Sequence, residues 1–102
     1  MLFLRRRQCI NMELNFKRYA GNPILKPNPK NQWENLCVLN PAVVFDEETN
    51  KFVMVYRAGG DEIKHHIRLG MATSDDGLNF VRYADNPVFD VDENDADGGC
   101  VE

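Results

Sequence analysis

The stretch Lys51-Phe-Val-Met-Val-Tyr-Arg57 decides the fold class of this 102-residue chain. It is rich in β-branched and aromatic residues, which favour β-strands. Successive side chains of a strand point to opposite faces, and here both faces are apolar, with Val53 and Val55 on one of them. This pattern indicates a strand that is buried on both sides.

Further strands are predicted on either side of this stretch. Ala42-Val-Val-Phe45 precedes it and is entered through Asn40-Pro41, where proline is tolerated as the first strand residue. His66 to Thr73 and Leu78 to Tyr83 follow it, joined by the turn signal Ser74-Asp-Asp-Gly77. No segment has a helical period, so the sequence predicts an all-β protein.

A repeat encloses these strands. Phe16-Lys-Arg-Tyr-Ala-Gly-Asn-Pro-Ile-Leu25 returns as Phe80-Val-Arg-Tyr-Ala-Asp-Asn-Pro-Val-Phe89, an offset of 64 residues from position 16 to position 80. Such self-similarity indicates a repeated structural unit, here the blade of a β-propeller with long loops. The chain would hold about one and a half blades, which cannot close a ring, so we expect it to be part of a larger protein.

Composition narrows the function classes. The hydrophobic content of 43% and the charged content of 27% are ordinary for a globular protein, and the net charge of -4 argues against nucleic acid. Three cysteines at irregular spacing predict free thiols rather than disulfides or a metal site. Residues 1–11 are interpreted as a leader without structural role, residues 12–102 as the propeller part, and the localisation as cytoplasmic, with no membrane anchor.

Two residues are candidates for ligand binding. Arg57 ends a buried strand beside two glycines and could bind a sugar hydroxyl or a carboxylate, or form a structural ion pair with Asp61 or Glu62. Asn40 could face a ligand, or its side chain could cap a turn, which Asn-Pro favours. His65-His66 offers no metal site, because adjacent strand residues point to opposite faces.

Several stretches together resemble glycoside hydrolase family 130, the β-mannoside phosphorylases and their hydrolytic relatives. They cover nearly everything from Phe16 onward, and their order and spacing carry the resemblance. The matching stretches are Tyr19-Ala-Gly-Asn-Pro-Ile24, Leu39-Asn-Pro-Ala-Val43, Val55-Tyr-Arg-Ala58, Leu69-Gly-Met-Ala-Thr-Ser-Asp-Asp-Gly77 and Gly98-Gly-Cys-Val-Glu102.

The resemblance implies a five-bladed propeller with its sugar site at one end of the central channel. It implies that Asn40 and Arg57 bind the non-reducing mannose and that Glu102 is also a substrate-binding residue. In the family the catalytic acid is an aspartate directly after this glutamate, so we expect no catalytic residue within the 102 residues and no activity of this piece alone.

The implied reaction is inversion at the anomeric carbon of an oligosaccharide, with phosphate or water as the attacking group. No cofactor or metal is expected, and inorganic phosphate would be a co-substrate of a phosphorylase. Whether the full-length protein is a homo-oligomer stays open. The alternatives are a non-catalytic carbohydrate-binding or structural propeller fragment, and an arabinanase-like or fructosidase-like propeller. The latter is disfavoured because the first blade has Asn40-Pro41 where those enzymes carry an aspartate.

Overall fold

The computed structural model describes residues 13–62, 64–94 and 96. They form one antiparallel sheet of four strands, in the order β1-β2-β3-β4, and contain no helix. The strands are β1 (Cys37–Asp46), β2 (Lys51–Gly59), β3 (Ile67–Ser74) and β4 (Val81–Arg82). The all-β prediction is confirmed, whereas the five-bladed propeller remains a prediction.

The first strand differs from its prediction. β1 begins at Cys37 and runs through Asn40-Pro41, so the prediction that the strand begins at this proline is wrong. Its pairing with β2 shifts register between Leu39 and Ala42, which places two residues of β1 opposite Tyr56. Asn40 has a φ of 49° at this β-bulge. A bulge in an edge strand leaves one residue outside the hydrogen-bond ladder, and proline, which lacks an N–H, is tolerated there.

The connection between β3 and β4 is held by side chains. The Asp76 carboxylate accepts hydrogen bonds from the backbone N–H groups of Leu78 and Asn79, both at 2.8 Å. The Ser74 hydroxyl accepts one from the N–H of Gly77 at 2.9 Å, and Gly77 has a φ of 76°. The predicted turn is therefore confirmed. The strand after it is shorter than predicted, because the chain leaves the sheet after Arg82.

One face of the sheet is covered by the chain that precedes β1. The buried residues of this face are Met54, Tyr56, Ala58 and Ala72, and Ile24, Leu25 and Trp33 pack against them. The ring of Trp33 stacks on that of Tyr56, with 6.3 Å between centroids. This stack needs a glycine beneath it, since a Cβ at position 70 would lie 2.4 Å from Cζ of Tyr56.

The opposite face is largely uncovered. Val53 and Val55 of β2 are only half-buried, and Val44 of β1 is 65% exposed. The prediction of a strand buried on both sides thus holds for one face among the described residues. An apolar sheet face of this kind is stable in water only when another layer packs on it.

Candidate functional site

The structure brings Asn40 and Arg57 onto neighbouring strands at the same end of the sheet. Arg57 of β2 pairs with Leu39, the residue before Asn40, and with Leu69 on its other side. Asn40 is exposed at the bulge, and within the described part of the chain its side chain has no hydrogen-bond partner. The capping role considered for Asn40 is therefore not what the described residues show.

Arg57 lies half-buried on the less covered face of the sheet. The Glu62 carboxylate, which was one candidate for a structural ion pair with Arg57, is held by Arg68 instead. The amide of Asp61 donates to the side-chain oxygen of Asn35 at 2.9 Å, which fixes the loop after β2. This part of the sheet thus carries an amide and a guanidinium on neighbouring strands, and both kinds of group can form hydrogen bonds with hydroxyls.

Glu102, the third predicted binding residue, lies outside the described residues, as do Cys9, Cys100 and the predicted leader. Cys37, at the start of β1, is a free thiol. The prediction for Glu102 therefore stays a prediction.

The loop between β2 and β3 is joined to the segment after β4 by Arg68. Its guanidinium binds both carboxylate oxygens of Glu62, and its Nε donates to Oδ1 of Asp90 at 2.6 Å. These hydrogen bonds lower the pKa of both carboxyl groups and raise that of Arg68. The cluster borders a cavity of about 260 Å³ that Trp33 and Pro87 also line. Because the Arg68 guanidinium is paired with the carboxylates of Glu62 and Asp90, we interpret this cluster as a structural contact.

A buried carboxylate, Glu34, was not anticipated from the sequence. It is 0% exposed, and its Oε1 accepts hydrogen bonds from Nε of Arg82 at 2.8 Å and from the hydroxyl of Tyr56 at 3.1 Å. Its Oε2 accepts one from Nδ2 of Asn31 at 2.8 Å. The available signal was the arginine that recurs in both copies of the repeat, of which Arg82 is the second.

Tyr56 is a hydrogen-bond donor in this network rather than an acid or base. Burial, followed by the negative charge of Glu34, raises the pKa of Tyr56 to about 12. The phenol therefore stays protonated at neutral pH. The network fastens the segment that carries Glu34 to the sheet.

The other candidates do not form a site. His65 Nδ1 lies 2.9 Å from the carbonyl oxygen of Gly60, and His66 Nδ1 lies 4.0 Å from Glu62. Across residues 13–62, 64–94 and 96, no three side chains of His, Cys, Asp or Glu are grouped as metal ligands would be. A second cavity, of about 300 Å³ between Ile24 and β1, has an apolar lining that includes neither Asn40 nor Arg57.

The part of the chain that the structure describes contains no helix of the length and apolarity that a bilayer crossing requires.

Comparison with known proteins gives two informative relatives. The chain is 39% identical over 80 residues to a 1,2-beta-oligomannan phosphorylase of Thermoanaerobacter sp. (strain X514), an alignment that covers 74% of this chain and 26% of the relative. It is 37% identical over 82 residues to a beta-1,2-mannobiose phosphorylase of the same organism, covering 70% of this chain and 26% of the relative. No family model matches the chain.

The chain therefore spans about a quarter of the length of the curated relatives that it matches. Both relatives are mannoside phosphorylases, which supports the mannoside-phosphorylase part of the sequence prediction. The assignment to glycoside hydrolase family 130 and the reaction itself are finer statements, and they are proposals.

Proposed function

We propose that the chain is the N-terminal part of a β-mannoside phosphorylase of glycoside hydrolase family 130, built as a five-bladed propeller. The observation that carries this proposal is the similarity to two phosphorylases whose names both specify β-1,2-linked mannosides. Their names make phosphorolysis the favoured reaction over hydrolysis, and β-1,2 the favoured linkage over β-1,4.

The sheet supports this function through the placement of two side chains. Asn40 and Arg57 lie on neighbouring strands, since Arg57 pairs with the residue before Asn40, and Asn40 is exposed to solvent. An amide both donates and accepts hydrogen bonds, and a guanidinium donates several in a fixed plane, so together they can bind adjacent hydroxyls of one pyranose ring. We assign them to the non-reducing mannose, with Glu102 as a further binding residue.

The proposed reaction is a single displacement with inversion. A phosphate oxygen forms a bond to the anomeric carbon while the β-mannosidic bond to the departing oxygen breaks on the opposite face. A carboxylic acid donates a proton to that departing oxygen, giving α-mannose 1-phosphate and a shortened acceptor. The acid is proposed to be the aspartate that the family places directly after the residue corresponding to Glu102.

The test is an assay of the full-length protein with β-1,2-mannobiose and β-1,4-mannobiose, each with and without inorganic phosphate. Mannose 1-phosphate that forms only with phosphate supports the proposal. Mannose that forms regardless of phosphate identifies a hydrolase, and binding of the disaccharide without turnover identifies a carbohydrate-binding protein. Either of these results overturns the proposal.

Variants test the assignment of the two binding residues. Arg57→Met and Asn40→Ala should each lower kcat/KM by about 10- to 100-fold, the range expected for losing one or two hydrogen bonds to a bound ligand. Lys64→Ala is the control, since Lys64 is exposed and its ammonium forms a surface ion pair with Glu93. Equal activity of Arg57→Met and the control would remove Arg57 from the site.

A further inference from the structure

We propose that Arg68 is a positioning residue of the phosphorylase reaction, which holds the segment after β4, residues 86–94, in the place that the catalytic acid requires. The inference rests on the proposed function, because it concerns the acid of that reaction. It gives a role to a side chain that would itself contact neither mannose nor phosphate.

Arg68 lies on the opposite face of the sheet from Arg57. It pairs with Ala58 of β2, and Ala58 is fully buried on the face that carries Tyr56 and packs against Trp33. Residues directly opposite in an antiparallel pair share a face, whereas successive residues of one strand point to opposite faces. Arg68 can therefore act on a sugar bound at Arg57 only through other residues.

The Arg68 guanidinium binds two carboxylates that belong to different segments. It donates to both oxygens of Glu62 in the loop between β2 and β3, and its Nε donates to Oδ1 of Asp90 at 2.6 Å. The Arg68 side chain is only 13% exposed, so water screens its charge less than that of a surface arginine. Charge-assisted hydrogen bonds to a planar guanidinium also fix the orientation of the partners. One cation thus sets the distance between this loop and the segment after β4.

The loop that carries Glu62 is anchored on the chain that precedes β1. The amide of Asp61 donates to the side-chain oxygen of Asn35 at 2.9 Å. Gly60 lies so close to Gln32 that a Cβ at position 60 would be 1.6 Å from the carbonyl oxygen of Gln32. The carboxylate of this loop is therefore a fixed point from which the guanidinium can hold a second segment.

The segment after β4 passes from backbone contacts to side-chain contacts at Asp90. Residues 88–89 still form backbone hydrogen bonds with Leu69, at 2.9 and 3.1 Å. The next residue, Asp90, is held by Arg68 through its side chain. A side-chain contact can be removed by one substitution, so the importance of this contact can be measured directly.

Along the sequence the same segment continues toward the acid of the proposed reaction. Asp90 precedes Glu102 by 12 residues, from position 90 to position 102, and in the proposed reaction the acid follows Glu102 directly. Asn40 and Arg57, by contrast, are placed on neighbouring strands by the pairing of β1 with β2. Loss of the contact between Arg68 and Asp90 should therefore disturb the acid and leave the mannose-binding residues in place.

The test is steady-state kinetics of the full-length protein with β-1,2-mannobiose and phosphate. Arg68→Met and Asp90→Ala should each lower kcat by about 10- to 100-fold, because a displaced acid is a poorer proton donor, while KM for the disaccharide changes by less than about threefold. The Asp90 side chain is 63% exposed, so Asp90→Ala does not open the core and carries the test if Arg68→Met folds poorly.

Lys64→Ala is the matched control for these variants. It removes the exposed ion pair with Glu93, which joins the same loop to the same segment. An exposed ion pair contributes little, so kcat of this variant should stay within about threefold of the wild type. If Lys64→Ala lowers kcat as much as Arg68→Met does, the special role of Arg68 is refuted.

An activated substrate separates positioning of the acid from a general loss of structure. The leaving group of p-nitrophenyl β-mannoside departs with little help from a proton, so Arg68→Met should lower kcat for this substrate by less than about threefold. Equal losses on both substrates, or a change in KM alone, would overturn the inference. An active wild type with an unaffected Arg68→Met variant would overturn it too and leave the proposed function standing. A wild type without phosphorolysis would overturn the proposed function and this inference with it.

Discussion

Replacing Glu34 by glutamine should destabilise the protein far more than its conservative chemistry suggests. The substitution keeps an acceptor near Arg82 and Tyr56 but removes the charge that both hydrogen bonds at Oε1 use. Glutamine also adds two N–H donors, and Asn31 already donates to the other oxygen. An N–H group of the new side chain would then face the Nδ2–H group of Asn31, and this position is 0% exposed to solvent.

The expected magnitude follows from these contacts. Charge-assisted hydrogen bonds contribute roughly 1.5–3 kcal/mol, and breaking a fully buried ion pair costs about 3–5 kcal/mol. The Arg82 side chain is 25% exposed, so water can solvate its guanidinium after the ion pair is lost. The energetic cost should therefore lie near the lower end of these ranges. We therefore expect Glu34→Gln to lower the free energy of unfolding by about 2–3 kcal/mol, a large share of the stability of a small domain.

Urea denaturation monitored by tryptophan fluorescence measures this change, because the single tryptophan, Trp33, precedes Glu34 and stacks on Tyr56. The double variant Glu34→Gln/Arg82→Gln provides the matched comparison. A coupling energy of about 1 kcal/mol or more is expected between the two positions. A loss below about 0.5 kcal/mol in the single variant, or additive effects in the double variant, would refute the reasoning.

Three further predictions concern single contacts of the sheet. Because the pKa of Tyr56 is raised to about 12 from 10.0, stability should fall as the pH rises from about 10 to 12, by up to roughly 3 kcal/mol, and Tyr56→Phe should lack this part of the pH dependence in chemical denaturation. Asp76→Ala should lower the melting temperature more than Asp75→Ala, since Asp76 accepts hydrogen bonds from N–H groups of the turn whereas Asp75 forms an exposed ion pair with Lys51; equal shifts in calorimetry would contradict this. Gly70→Ala should lower the free energy of unfolding by about 1–3 kcal/mol or more, because the added Cβ would clash with Tyr56. Gly59→Ala should lower it less, because a Cβ at that position would lie 3.2 Å from Sγ of Cys37. Denaturation midpoints compare the two variants, and equal losses would show that the rings of Trp33 and Tyr56 can shift to admit a Cβ.

The central strands could be predicted because their signal is local. The alternation of Phe52 to Arg57 depends only on neighbours in sequence, and so does the turn at Ser74 to Gly77. The bulge at Asn40-Pro41 was not predicted. The preference of proline for the first residue of a strand applies to strands with a regular hydrogen-bond ladder, and β1 is irregular at this point. A register shift depends on the partner strand, which a single stretch of sequence does not reveal.

The candidate residues Asn40 and Arg57 were singled out from the sequence, and the pairing of β1 with β2 places them on neighbouring strands. Their role in binding a sugar stays a prediction. The Glu34 network was not predicted, since its arginine is 48 residues away in sequence and lies near Glu34 only through the pairing of β4 with β3. An acidic residue beside a tryptophan carries no local mark of burial.

The separation of Glu34 from Arg82 couples two distant parts of the chain. The buried carboxylate has its cation only when β4 is paired with β3, because Arg82 belongs to β4. Without that pairing, burial of Glu34 would leave its charge uncompensated, which is costly. The segment with Trp33 and the outermost strand of this sheet therefore stabilise each other, and loss of either one should loosen the other.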